Sequence, residues 1–180
     1  VNHEFGTNPH VLGKDAPQSL EDVRLSQAVH GVSVVAIYQS RSGYWKVVPS
    51  RNSRRITVNT QMHVSGPAAD SPLLENPADN PVLGTVNNCG SGTTPWGTYV
   101  TCEENFNGYF GSTTESIGGF DDLQDEALSR YGFSTGGFGY GWHLFDERFD
   151  LSDPKFKNES NRFGWCVEID PFDGEKKPVK

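Results

Sequence analysis

No run of apolar residues in this sequence approaches the roughly 18 that a membrane-spanning helix needs, so no span is expected. Basic residues are sparse and scattered, and Arg51, Arg54 and Arg55 form the one local group. Neutralising a nucleic-acid backbone takes clustered Lys and Arg, so nucleic acid is not expected as a sequence-specific partner. There is no charged-then-apolar leader. The sequence opens on Val1 rather than Met and closes at Lys180 without a terminating element, which reads as an internal stretch of a longer chain, incomplete at both ends. Cysteine is scarce, at Cys89, Cys102 and Cys166, and no two form a C-x-x-C pair. That argues against a zinc ribbon or a thioredoxin-type centre. It leaves either three buried thiols or one disulfide and a spare.

The hydrophobic fraction is a modest 34%, beside 20 Gly and 11 Pro. This excludes a helix bundle and points to many turns. The 11 Phe, 6 Tyr and 4 Trp exclude disorder. With a net charge of −8, the surplus carboxylates suit either a solvated surface or hard cations, which take several oxygen ligands.

Ser19, with Asp22 three residues on, predicts a helix start, and Gly31 a helix end. Leu20, Val23, Ala28 and Val29 would supply its apolar face. Val32 to Tyr38 reads as a buried strand and Ser42-Gly43 as a turn into Tyr44 to Val48. Ile56 to Val58, Gly97 to Cys102 and Trp165 to Ile169 are further strand candidates. Residues 65–81 read as a long loop, and 111–162 as Gly-rich turns with a short exposed helix at Asp121 to Arg130. The fold class expected is all-β, with antiparallel strands, long loops and one short helix.

Residues 84–110 carry the chemistry. Gly90, Gly92 and Gly97 permit sharp turns beside Cys89, and the following strand delivers two adjacent carboxylates, Glu103 and Glu104. Strand neighbours point to opposite faces, so one of the two should leave any site the other enters. A thiolate and a carboxylate brought together would make a mixed S/O metal site, with sulfur favouring a transition metal and oxygen calcium. A Gly-rich hairpin with a buried cysteine accounts for the same residues equally well. Trp96 and Trp165 read as packing residues. Arg54, Arg55 and Arg162 read as pairing residues rather than phosphate binders. The run Gly136 to Gly141 lacks the Lys-Ser/Thr ending of a P-loop.

The string Asn88-Cys89-Gly-Ser-Gly-Thr-Thr-Pro95-Trp96-Gly97-Thr-Tyr-Val-Thr-Cys102-Glu103-Glu104-Asn105 resembles the signature of the PhoX family of bacterial alkaline phosphatases. Asn2-His3-Glu4, His30 to Val35, Asn52 to Thr57, Ser65 to Ala69 and Asn158 to Pro171 resemble further segments of that family, in the same order. The resemblance implies a partial β-propeller, part of a six-bladed fold whose centre holds ferric and calcium ions joined by an oxo group. It implies hydrolysis of small-molecule phosphomonoesters by a monomer in the periplasm or outside the cell. Carried over by position, Cys89, Glu104 and Glu168 are the implied metal ligands, Glu168 as a bridge between ions. Glu103, Glu4 and Asn2 are implied as further ligands or as supports to them. The other readings are a calcium-binding propeller without catalysis, and another metal-dependent esterase or lactonase on the same fold.

Overall fold

The computed structural model describes all 180 residues. Eight short strands form three antiparallel sheets: β1 (Asn2–His3), β2 (Gly31–Val34) and β5 (Arg54–Ile56) in the order β1-β2-β5; the hairpin β3 (Ile37–Gln39) and β4 (Trp45–Val47); and β6 (Asn88–Thr93), β7 (Tyr99–Glu103) and β8 (Cys166–Ile169) in the order β6-β7-β8. Between them run long loops carrying single 3-10 turns, including two within 65–81.

Three α-helices are present, more than the one short helix of the expected fold class: α1 (Asn8–Leu12), which was not anticipated, and α2 (Leu20–Val29) and α3 (Asp122–Arg130), which lie where the sequence points to helix. In α1, Pro9 in the first turn and left-handed Gly13 just past the end are what helix termini favour. The Ser19 side chain caps α2 by accepting from the Asp22 N–H, and Asp121 caps α3 in the same way through Gln124. The buried face of α2 is not the aliphatic stripe that the sequence suggested. It is Val23, Ser26 and Gln27, while Leu20 is exposed. Polar groups are tolerated there because each is bonded: Gln27 donates to Asp146, and Ser26 accepts from the Trp142 indole.

The run Val32 to Tyr38 is not one buried strand. Val34 is the last rung against β5, and the chain then leaves for the separate hairpin, where Ile37 and Tyr38 are exposed. β-Branched residues mark extended backbone but do not say which sheet takes it.

Two cores position the site. The larger is aromatic, built from Trp142, Tyr109, Phe110, Phe149 and Phe163 with aliphatic neighbours from the loops and from α2 and α3. The smaller joins the two three-stranded sheets through Val32, Ile56, Met62, Val167 and Ile169. Gly31 lies at the entry to β2 with φ of 104°, and a Cβ there would stand 2.0 Å from the Ile56 carbonyl oxygen. Gly31→Ala is therefore expected to cost about 2–3 kcal/mol of stability, from a left-handed non-glycine residue and a backbone clash. Urea denaturation of the full-length protein checks this, and a loss under about 0.5 kcal/mol would contradict it.

Candidate metal centre

The site is assembled from chain segments far apart in sequence. β1 lies antiparallel to β2, and Glu4 follows directly after it. β6 starts with Asn88 opposite Glu103, but Ser91 is opposite Thr101, so Cys89 and Gly90 together face the single residue Cys102. This bulge re-aims the Cys89 side chain out of simple alternation. Asn2 ties β1 to it, its Nδ2 donating to the Cys89 carbonyl and to Thr101 Oγ1 at 3.0 Å each. The Tyr99 hydroxyl donates to the other side of the same amide, Asn2 Oδ1. The N–H of Glu104 donates to the Asn87 carbonyl, which fixes that residue beside the bulge.

The result is a cluster of three ligand atoms, from Glu4, Cys89 and Glu104, all within 4.8 Å of one another. Neither carboxylate has an ion-pair partner. Hydrogen bonding to Glu104 and then the charge of Glu4 push the exposed Cys89 thiol above its usual pKa. Two acidic groups around a thiol, without a cation, hold that thiol protonated. A bound cation reverses the balance, because it favours carboxylate and thiolate together. The donor set, one sulfur and two carboxylates, fits a mixed transition-metal and hard-cation centre.

The residues singled out in the sequence divide clearly. Asn2, Glu4, Cys89 and Glu104 come together. Glu103 does not: alternation turns it to the buried face, where it lies 2.9 Å from Lys180 Nζ and accepts from the N–H groups of Gly164 and Trp165. Burial pushes the pKa of that lysine down, against the pull of Glu103. Glu168 is also outside the cluster. It pairs with Val100 on β7, four residues before Glu104 and so about 13 Å away along the strand. Its carboxylate is instead bonded by Trp96 Nε1 at 2.7 Å and Thr98 Oγ1 at 2.5 Å, and these two donors hold its pKa below the usual range.

Trp96 is thus not a packing residue; its ring is exposed and its N–H serves Glu168. Arg54 and Arg55 bond to backbone carbonyls of Asp170, Ala28 and His30, and Arg162 is buried against Glu159, so none reaches the cluster. Sequence reasoning missed Tyr109 and Asn87, which stand behind the site. Asn87 Nδ2 donates to the Tyr109 hydroxyl, and that hydroxyl reaches the Glu4 carbonyl at 3.5 Å. The available signal was the Asn-Asn pair directly before Cys89.

A sequence model described as alkaline phosphatase PhoX matches residues 1–180. The chain belongs to the PhoX alkaline phosphatase family. A solved structure, Pseudomonas fluorescens PhoX in complex with vanadate, a transition state analogue, is similar to it with a TM-score of 0.89 and 45% identity. That match covers 99% of this chain and 30% of the other, so these residues span about a third of the PhoX chain they match. No curated protein sequence matches this chain. No helix is long and apolar enough to cross a membrane.

Proposed function

We propose that this PhoX-family chain supplies part of the metal centre of an alkaline phosphatase that hydrolyses small-molecule phosphomonoesters. The observation that carries the proposal is the convergence of Glu4, Cys89 and Glu104, two carboxylates and a thiol with no cationic side chain among them. The sulfur supports iron(III) and the carboxylates calcium, as the family resemblance implies. The small antiparallel sheets are compatible with blades of a β-propeller, and we extend the reading to a monomer acting in the periplasm or outside the cell.

A bound iron–calcium group would supply Lewis-acid neutralisation of the charge on the phosphoryl oxygens. The chain's own residues position the donors. Asn2 fixes the Cys89 backbone through its carbonyl, and the bulge turns the thiol toward the two carboxylates. Cys89 must release its proton on metal uptake, and the pair of carboxylates makes that release harder without a cation. Metal loading should therefore strengthen as pH rises through the thiol's titration, in the direction that suits an enzyme working in alkali.

The test is made on the full-length protein. Phosphomonoesterase activity at alkaline pH is expected to fall at least about 100-fold after calcium chelation and to return on adding calcium back. Full activity in excess chelator, with no metal by elemental analysis, would reject the reading. Bound iron and calcium without turnover of any phosphate ester would instead favour a calcium-binding module.

A further inference from the structure

We propose that Cys102 and Cys166 form a disulfide that pins β7 to β8 and leaves Cys89 as the single free thiol of these residues. The two cysteines face each other directly across the β7–β8 ladder. The next rung is hydrogen-bonded, the Glu103 N–H donating to the Trp165 carbonyl at 3.0 Å. Antiparallel rungs alternate, so Cys102 and Cys166 occupy a non-hydrogen-bonded pair, where Cα atoms are about 4.5 Å apart and side chains closest. That separation falls within the range of about 4.4–6.8 Å that disulfides span. Their Sγ atoms are 3.2 Å apart, close enough that small side-chain rotations bring them to bonding distance. Cys166 is exposed and Cys102 half-buried, so a small oxidant reaches them.

The bond has a use in the site. Cys89 and Gly90 face Cys102 across β6–β7, which puts Cys102 on the strand next to the one thiol that must stay free to hold metal. Consuming Cys102 with Cys166 removes the nearest competitor of Cys89, both as a wrong disulfide partner and as a wrong ligand. It also fixes the register of β7 two residues before Glu104. The bond itself does not depend on the metal reading; only this use of it does.

The oxidant is a small disulfide such as oxidised glutathione. The thiolate of one cysteine attacks it, breaking the S–S bond, forming a mixed disulfide and expelling one glutathione thiolate. The second cysteine's thiolate then attacks the protein sulfur of the mixed disulfide and expels the other. Two protein thiols are oxidised, one small disulfide is reduced, and the two protons end on the two glutathiones.

Full-length protein equilibrated with oxidised glutathione, alkylated under denaturing conditions and digested without reduction should yield the Cys102 and Cys166 peptides joined, at least tenfold over their alkylated forms. Cys89 should be recovered alkylated. Reduction should lower the melting temperature by several degrees in this protein and leave a C102S/C166S double variant unchanged. Recovery of both cysteines alkylated overturns the proposal, as does a linked peptide containing Cys89. A linked pair whose reduction shifts the wild-type melting temperature no more than the variant's overturns the pinning role.

Discussion

Replacing Cys89 with serine in the full-length protein is expected to lower phosphomonoesterase activity at least about 100-fold and to remove most of the bound iron. Serine keeps the size and the turn but offers a hydroxyl that stays protonated where a thiol can ionise. The two carboxylates already oppose ionisation of the Cys89 thiol, and they would oppose that of an alkoxide far more. The variant should also lose any thiolate-to-iron charge-transfer absorption. Elemental analysis beside the assay separates loss of metal from loss of fold, and circular dichroism should be unchanged, since Cys89 is exposed and outside both cores. A C89S protein that retains iron, absorption band and turnover would remove Cys89 from the centre.

The second large effect is on stability. Glu159→Ala is expected to cost about 3–5 kcal/mol, the range for breaking a buried ion pair from one side. Glu159 is fully buried, and both carboxylate oxygens are shared. Oε1 accepts from Arg148 Nε and Nη2 at 3.0 and 2.9 Å; Oε2 accepts from Arg162 Nη1 at 3.0 Å and from the Asn76 and Asn80 amides. Removing the carboxylate strands two buried guanidiniums side by side. Glu159→Gln keeps the shape but offers one carbonyl oxygen and an amide that cannot accept, so it should fall nearly as far. Urea denaturation of the full-length protein reads the loss. A change below about 1 kcal/mol for Glu159→Ala would show that the arginines find other partners.

This ion cluster was illegible in the sequence. Arg162 and Glu159 stand three apart within a recognisable segment, but their partners Arg148, Asn76 and Asn80 come from loops with no periodicity to announce them. Local rules did better where the physics is local. The Ser19 cap and the turn at Ser42-Gly43 rest on a few residues in a row, and the structure has both. Alternation likewise separated Glu103 from Glu104. It could not place Glu168, because the register of β8 against β7 is set by long-range pairing, with Cys166 opposite Cys102 and Glu168 opposite Val100. The sequence alone does not single out Glu4, for a related reason: only the pairing of β1 with β2, and the reach of Asn2 to β6, brings it to Cys89.

The union of Glu4 with Cys89 and Glu104 has a consequence in time. A chain made at about 5–20 residues per second exposes Glu4 roughly 5–20 s before Glu104 exists. Through that interval β1 has at most β2 to pair with, and the site holds one acid of its three donors. Cations arriving early would meet only an ordinary carboxylate and depart. If the centre holds metal as proposed, capture must wait until β6 and β7 close their bulged hairpin, so the order of synthesis makes the three donors a late assembly.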